Sequence, residues 1–314
     1  MLIPLVESDP AETAVLASLP SSLAAIERLV LDAVSSPKTK VLYQQAIREF
    51  LAWYSAGQPG PLSKAVVSSY RTMLEGRGLA ASSINVRMAA LRKLALEAAD
   101  NGLMAGETAA AIGRVKGAKR LGVKLGNWLS QEQAQKLLQQ PGTDTLKGLR
   151  DTALLAVMLG SGLRRSELAA LTVEHTQQRE GRWVIVDLLG KHGRVRSVPI
   201  ASWVKAALDR WTTAAGIDTG CVFRAVNKGG RVTGQGMTAQ AIYNTVTVYS
   251  ETIGLKLAPH DMRRTFAQLA RKADASLEQI QLTLGHASVQ TTERYLGTRQ
   301  DLTDSPSDRL RLRI

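Results

Sequence analysis

What the chain lacks narrows its chemistry first. Cys221 is its only cysteine, so an intramolecular disulfide and a cysteine metal cluster are both excluded. Cys221 is expected as a core filler, and a reducing cytoplasm as the compartment. No uninterrupted apolar run approaches the roughly 20 residues needed to cross a bilayer, so no membrane partner is expected. The apolar opening, residues 1–20, has no basic start and is broken by Glu7, Asp9, Pro10 and Glu12, unlike a signal peptide. No internal repeat is present. Acidic residues are scarce, and no cluster of them suits the magnesium pair of a two-metal nuclease, so neither metal nor cofactor is expected.

The counterpart of that scarcity is a strong positive balance. Lys+Arg number 40 against 27 Asp+Glu, giving a formal net charge of +13. The natural long-range partner of such a chain is a polyanion, with nucleic acid leading. Charge alone leaves open a basic surface kept for solubility or one facing anionic lipid. The length, 314 residues, is more than one core usually organises and implies two domains.

Helical periodicity dominates the first third. Helices are predicted at Ser21–Val34, at Lys38–Ser55 with Tyr43, Ile47, Phe50, Leu51 and Tyr54 on one face, and at Ser63–Glu75. Gly57, Pro59, Gly60 and Pro61 separate the last two. A fourth helix should be capped by Ser82 or Ser83 and run to Asn101-Gly102, and a short fifth should span Glu107–Ile112. Residues 113–126, with four glycines, five cations and no acid, read as a flexible basic linker. Its cations, Lys119 and Arg120 among them, would track a phosphate backbone.

Beyond the linker the pattern is mixed. Ser130-Gln131-Glu132-Gln133 is a capping box. An apolar helix, Leu149–Leu159, breaks at Gly160-Ser161-Gly162, which places Arg164 at the head of the next helix, Arg165–Leu171, where backbone N–H groups favour anions. Glu167 lies one turn on and would orient the Arg164 guanidinium. Trp183–Asp187 and Val195–Ile200 read as a β-hairpin with Lys191 in its turn and Arg194 and Arg196 as neighbouring cations. Pro259 opens a helix on which His260 and Arg263, three apart, share a face. Gly285-His286 forms the turn before a last helix, Val289–Leu296, that carries Tyr295 and stops at Gly297.

Arginine forks bind phosphate in two-pronged fashion, imidazoles exchange protons near neutral pH, and a phenol is a nucleophile once deprotonated. Each fragment alone is commonplace; a lone Arg164–Glu167 pair, for example, would read as a surface ion pair. Taken in order, Gly162-Leu163-Arg164-Arg165-Ser166-Glu167-Leu168, Lys191, Pro259-His260-Asp261-Met262-Arg263, Leu284-Gly285-His286 and Tyr295 resemble the active site of the tyrosine recombinases, or phage integrase family. Ser36 to Phe50, with Thr39 and Tyr43, is similar to the opening helix of their core-binding domain.

The resemblance, over roughly residues 38–297, implies a mainly α fold with a small antiparallel β-sheet. Its parts would be a leader and first helix (1–35), a helical core-binding domain (36–112), the linker (113–126), a mixed α+β catalytic domain (127–297) and a tail (298–314) packing in trans. It further implies a Tyr295 nucleophile; Arg164, Arg263 and His286 on the phosphate; His260 in proton transfer; Lys191 as general acid; and Glu167 in support. Thr39, Lys40, Arg87 and Arg92 become candidate DNA contacts. The implied partner is double-stranded DNA carrying inverted-repeat core sites, recombined by a homo-tetramer through a Holliday junction, with room for accessory proteins. About 35 residues before the core-binding domain are too few for an arm-binding domain, which favours a simple two-domain layout like that of the Xer recombinases or of transposon and phage integrases without arm sites. The alternatives are a type IB topoisomerase, a non-catalytic DNA-binding regulator and a metal-dependent phosphoesterase.

Overall fold

The structure is a computed structural model that describes residues 21–57, 60–119, 127–190 and 193–296. The expectations for Lys191, Arg120 and the tail lie outside the described residues. By backbone contacts the chain divides into two compact units, Met1–Val123 and Lys124–Ile314.

The first unit is helical among its described residues. Its elements are α1 (Ser21–Asp32), α2 (Pro37–Ser55), α3 (Lys64–Gly76), α4 (Ala81–Asp100) and α5 (Gly106–Gly113). Ser36 caps α2 by accepting from the Thr39 N–H, with Pro37 in the first turn, where its missing N–H costs nothing. Ser63 caps α3 in the same way. The cap expected at Ser82 or Ser83 is not used. Gly78, at φ 73°, turns the chain early enough for α4 to begin at Ala81, with Ala80 at the cap position and no side-chain bond. The core joins Ile47, Phe50, Leu51, Leu74, Ile84, Met88 and Leu91, and the Tyr70 ring meets Phe50 edge-on at 5.0 Å.

Three side chains of this unit fasten the stretch that follows α5. Arg71 Nη1 donates to Lys116 O at 3.1 Å, Asn85 Nδ2 to Ala118 O at 3.1 Å, and Arg92 to Val115 O. A Cβ at Gly117 would meet the Asn85 side-chain amide, so a larger residue there would require Asn85 to move.

The second unit is built round α7 (Leu146–Ser161), where Leu154, Leu155, Val157 and Met158 are fully buried; α6 (Gln131–Gln139) precedes it behind the Ser130 capping box. Its C-cap, Gly162 at φ 61°, needs the left-handed conformation that glycine adopts freely. The short α8 (Arg165–Ala169) follows, and then an antiparallel sheet in the order β1 (Thr176–Arg179), β2 (Arg182–Leu189), β3 (Val195–Pro199). Strand β1, Thr-Gln-Gln-Arg, has no apolar alternation to announce it. It joins β2 through Glu180-Gly181, both at positive φ, as a two-residue hairpin turn requires. A register shift between Ile185 and Leu188, with Asp187 at φ 54°, bends β2 before the hairpin. The remaining elements are α9 (Ser202–Ala215), the ribbon β4 (Ala225–Val226) with β5 (Val232–Thr233), α10 (Ala239–Thr252), α11 (Pro259–Lys272), α12 (Leu277–Leu284) and α13 (Val289–Leu296).

A buried ionic knot ties α7 to α10. Asp151, fully buried, accepts from Arg150 Nε at 2.8 Å, Lys147 Nζ at 2.9 Å and Tyr249 Oη at 2.9 Å. No helix among the described residues is long and apolar enough to cross a membrane.

Candidate active site

The site residues are carried by four segments of the second unit. Gly162 sets the first: a Cβ there would come within 2.8 Å of Phe266 and 2.9 Å of Leu284, so α7 ends against α11 and α12 and hands the chain straight to Arg164. Arg164 is the N-cap residue of α8. Its backbone N–H, expected to be open to an anion, is instead taken by Glu167 Oε2 at 2.7 Å, while its Nη1 donates to Glu167 Oε1 at 2.7 Å.

Glu167 is buried and also accepts from Arg196 of β3, Nη1 at 2.8 Å and Nη2 at 2.9 Å. Burial would raise the Glu167 pKa, but the hydrogen bonds from Arg196 and Arg164 outweigh it and hold the carboxyl at about 2. Arg196 continues to Thr283 O through Nε at 2.9 Å, reaching the end of α12 beside Gly285 and His286. In the sequence it is one cation among several beside the hairpin.

Arg263 is 1% exposed. It donates to Gly162 O at 2.6 Å and to Leu284 O, so it joins the turn before Arg164 to the turn before His286. Burial, then the nearby Arg164 charge, lowers its pKa to about 9, which still leaves it protonated at neutral pH. Arg164, Arg196 and Arg263 against Glu167 leave two positive charges in this network.

Tyr295 stands between two imidazoles. Its ring meets His260 at 5.3 Å and 82° and His286 at 5.2 Å and 74°, both edge-on, and its hydroxyl donates to His260 O at 3.2 Å. The Arg264 guanidinium lies 5.0 Å from the ring centroid. Helix α13 is fixed at its end, where Leu296 is buried and its carbonyl accepts from Gln268 Nε2 at 2.6 Å. Fully buried Thr292 pairs with His286 Nδ1 at 3.0 Å, leaving Nε2 as the nitrogen available for other partners. Thr292, Gln268 and Arg264 carry no signal in the sequence, since their roles arise from helix packing.

Burial raises the Tyr295 phenol to about 12, against the opposing pull of Arg263 and Arg264. Burial and the Arg263 and Arg164 charges push His286 down to about 4. His260 is lowered too, by desolvation on its packed side and then by Arg263 and Arg264, although the residue is solvent-exposed overall. At neutral pH the cluster therefore pairs a protonated phenol with neutral imidazoles that can accept a proton. Among the described residues no group of three or more His, Cys, Asp or Glu side chains could hold a metal ion.

The DNA-contact candidates belong to the first unit. Thr39 and Lys40 are half-buried in the first turn of α2, and Lys119 is exposed. Arg87 is bound to Glu49, Nε to Oε2 at 2.7 Å and Nη2 to Oε1 at 3.0 Å, and Arg92 holds Val115 O. A phosphate would have to displace Glu49 to reach Arg87.

A phenol edge-on to two imidazoles beside a surplus of guanidinium charge defines a site suited to phosphoryl transfer on a mixed α+β unit. Residues 127–301 match the phage integrase family and residues 26–102 its N-terminal SAM-like domain, and the chain belongs to this family, the tyrosine site-specific recombinases. It is 31% identical over 265 residues to tyrosine recombinase XerC of Xylella fastidiosa (strain M23), covering 83% of this chain and 86% of that one. A tyrosine recombinase of Synechococcus elongatus is 28% identical over 304 residues, 90% of this chain and 92% of its own. Among solved structures, the Tn1549 transposon integrase in complex with circular intermediate DNA matches at TM-score 0.67 and 18% identity, over 91% of this chain and 99% of that one. A lambda integrase dimer bound to a core site matches at TM-score 0.67 and 17% identity, over 90% and 98%. These likenesses bear on the fold, a helical N-terminal unit followed by a catalytic unit with small antiparallel sheets.

Proposed function

We propose that the chain cuts and rejoins double-stranded DNA at inverted-repeat core sites through a 3′-phosphotyrosyl intermediate. Tyr295 Oη attacks the scissile phosphorus and gives up its proton with the help of His260. The bond to the 5′ oxygen breaks, and Lys191 supplies the proton that makes it a 5′-hydroxyl. Arg164, Arg263 and His286 hold the non-bridging oxygens, and Glu167 supports Arg164. A phosphodiester carries one negative charge and its pentacoordinate transition state two, so a network with two surplus positive charges favours the transition state over the ground state. The phosphotyrosyl ester keeps the energy of the broken bond, so a 5′-hydroxyl from a partner duplex reverses the step without ATP.

The solved neighbours described as bound to circular intermediate DNA and to a core site support DNA as the partner. Residues 36–112 would be the core-binding domain, 113–126 the linker, 127–297 the catalytic domain and 298–314 a tail packing in trans within a tetramer acting in the cytoplasm. The observation that carries the reading is the Tyr295 ring set between His260 and His286, with Arg263 buried in the same network.

The test is to incubate the protein with a fragmented DNA library in EDTA, trap adducts under denaturing conditions and sequence the attached DNA beside a Tyr295→Phe control. Adducts that share an inverted repeat and vanish in the control are the expected result. Specific fragments recovered only without denaturation, and equally by the control, would make this a binding protein. Monomeric relaxation of plasmids without site preference would make it topoisomerase-like.

A further inference from the structure

We infer that Arg196 is a positioning residue for strand cleavage, which holds Glu167 so that Arg164 keeps part of its guanidinium fork free for phosphate. The inference rests on the proposed role of Arg164. Glu167 accepts four hydrogen bonds, two at each carboxylate oxygen: from the Arg164 backbone N–H and Nη1, and from Arg196 Nη1 and Nη2. The carboxylate is thereby saturated. Among the described residues Arg164 makes a side-chain hydrogen bond through Nη1 alone, so its Nη2 and Nε remain available. Without Arg196, Glu167 would be a buried carboxylate with two empty acceptor positions next to one arginine. The two would close into a bidentate pair, the geometry an arginine and a carboxylate favour, and that pair would compete directly with phosphate.

Position adds to the argument. Arg196 is itself anchored by Thr283 O, and its side chain packs on Gly285, where a Cβ would lie 2.9 Å from its Cδ. One arginine thus ties β3, α8 and the turn carrying His286 while leaving the Arg164 fork open. Arg196 need not touch the substrate.

The test is a double-mutant cycle, Arg196→Gln, Glu167→Gln and both together, scored as the initial rate of covalent adduct formation on the fragmented DNA library, with thermal unfolding of each protein. Arg196→Gln is expected to slow adduct formation by about 10²-fold, the scale of a misplaced catalytic group. The double variant is expected to be faster than Arg196→Gln by about tenfold, because a neutral amide in place of the Glu167 carboxylate no longer captures Arg164. A double variant slower than Arg196→Gln would overturn the inference, as would an Arg196→Gln protein of unchanged rate. Arg196→Lys, which keeps the charge and loses the fork, should fall between wild type and Arg196→Gln; a rate equal to wild type would also count against it. Arg164→Ala separates the failures: if it leaves adduct formation intact, the phosphate reading of Arg164 fails, and with it the premise.

Discussion

The second unit contains two buried carboxylates ringed by cations with a tyrosine nearby, and they have opposite characters. At Asp151 the tyrosine, Tyr249, donates to the carboxylate itself, and Lys147 and Arg150 complete a closed knot between α7 and α10. At Glu167 the two arginines saturate the carboxylate, Arg263 adds uncompensated charge nearby, and Tyr295 donates to a backbone carbonyl instead. The same residue types therefore make a fastening in one place and the proposed reactive centre in the other. What separates them is the surplus of charge and the partner of the phenol.

Substitution of the two tyrosines is the hardest test of that contrast. Tyr295→Phe should abolish covalent adducts and leave the melting temperature close to wild type, whereas Tyr249→Phe should leave adduct formation intact and cost about 1 kcal/mol of stability. Next, Arg263→Lys keeps a cation but loses the fork on Gly162 O and Leu284 O; adduct formation should fall about 10²–10³-fold. At the structural knot, Asp151→Asn leaves the buried Arg150 charge without its carboxylate, and unfolding should show a loss of about 3–5 kcal/mol.

A pH series gives a smaller effect. His286, ordinarily near 6.5, is held at about 4 in the folded protein, so between these values the unfolded chain binds the proton and the folded one does not. Stability should then rise as pH rises through that window, and His286→Gln should flatten the rise. A bound phosphate offsets the Arg263 and Arg164 charges, so DNA should shrink it too. The smallest effects belong to the first unit. Lys40→Ala should lessen the salt dependence of DNA binding by about 0.9 in log–log slope, whereas Arg87→Ala, which releases Glu49, should lower stability by about 1 kcal/mol without changing that slope.

The order of Arg164, His260, Arg263, His286 and Tyr295 was legible because helix stops at glycine and the three-residue step on α11 are local features. So were the first three helices and the hairpin. Strand β1 was not, because its polar residues take their extended form from pairing with β2. Nothing was predicted for 202–252, where α9 and α10 complete the core around Trp211 and Ile242. The tie from Arg196 to Glu167 spans 29 positions and depends on where β3 passes α8, which no local pattern records. Arg92, a candidate DNA contact in the sequence, and Arg71 hold backbone carbonyls after α5, and a carbonyl acceptor leaves no mark in the sequence.

The central claim, that Tyr295 is the nucleophile, is tested most directly on the adduct itself. The trapped complex would be digested with nuclease and protease and the modified peptide sequenced by mass spectrometry. The account predicts a nucleotide 3′-phosphate on Tyr295 and a free 5′-hydroxyl on the released strand. A nucleotide on Tyr243, Tyr249 or any other residue, or a 5′-linked adduct, would contradict it.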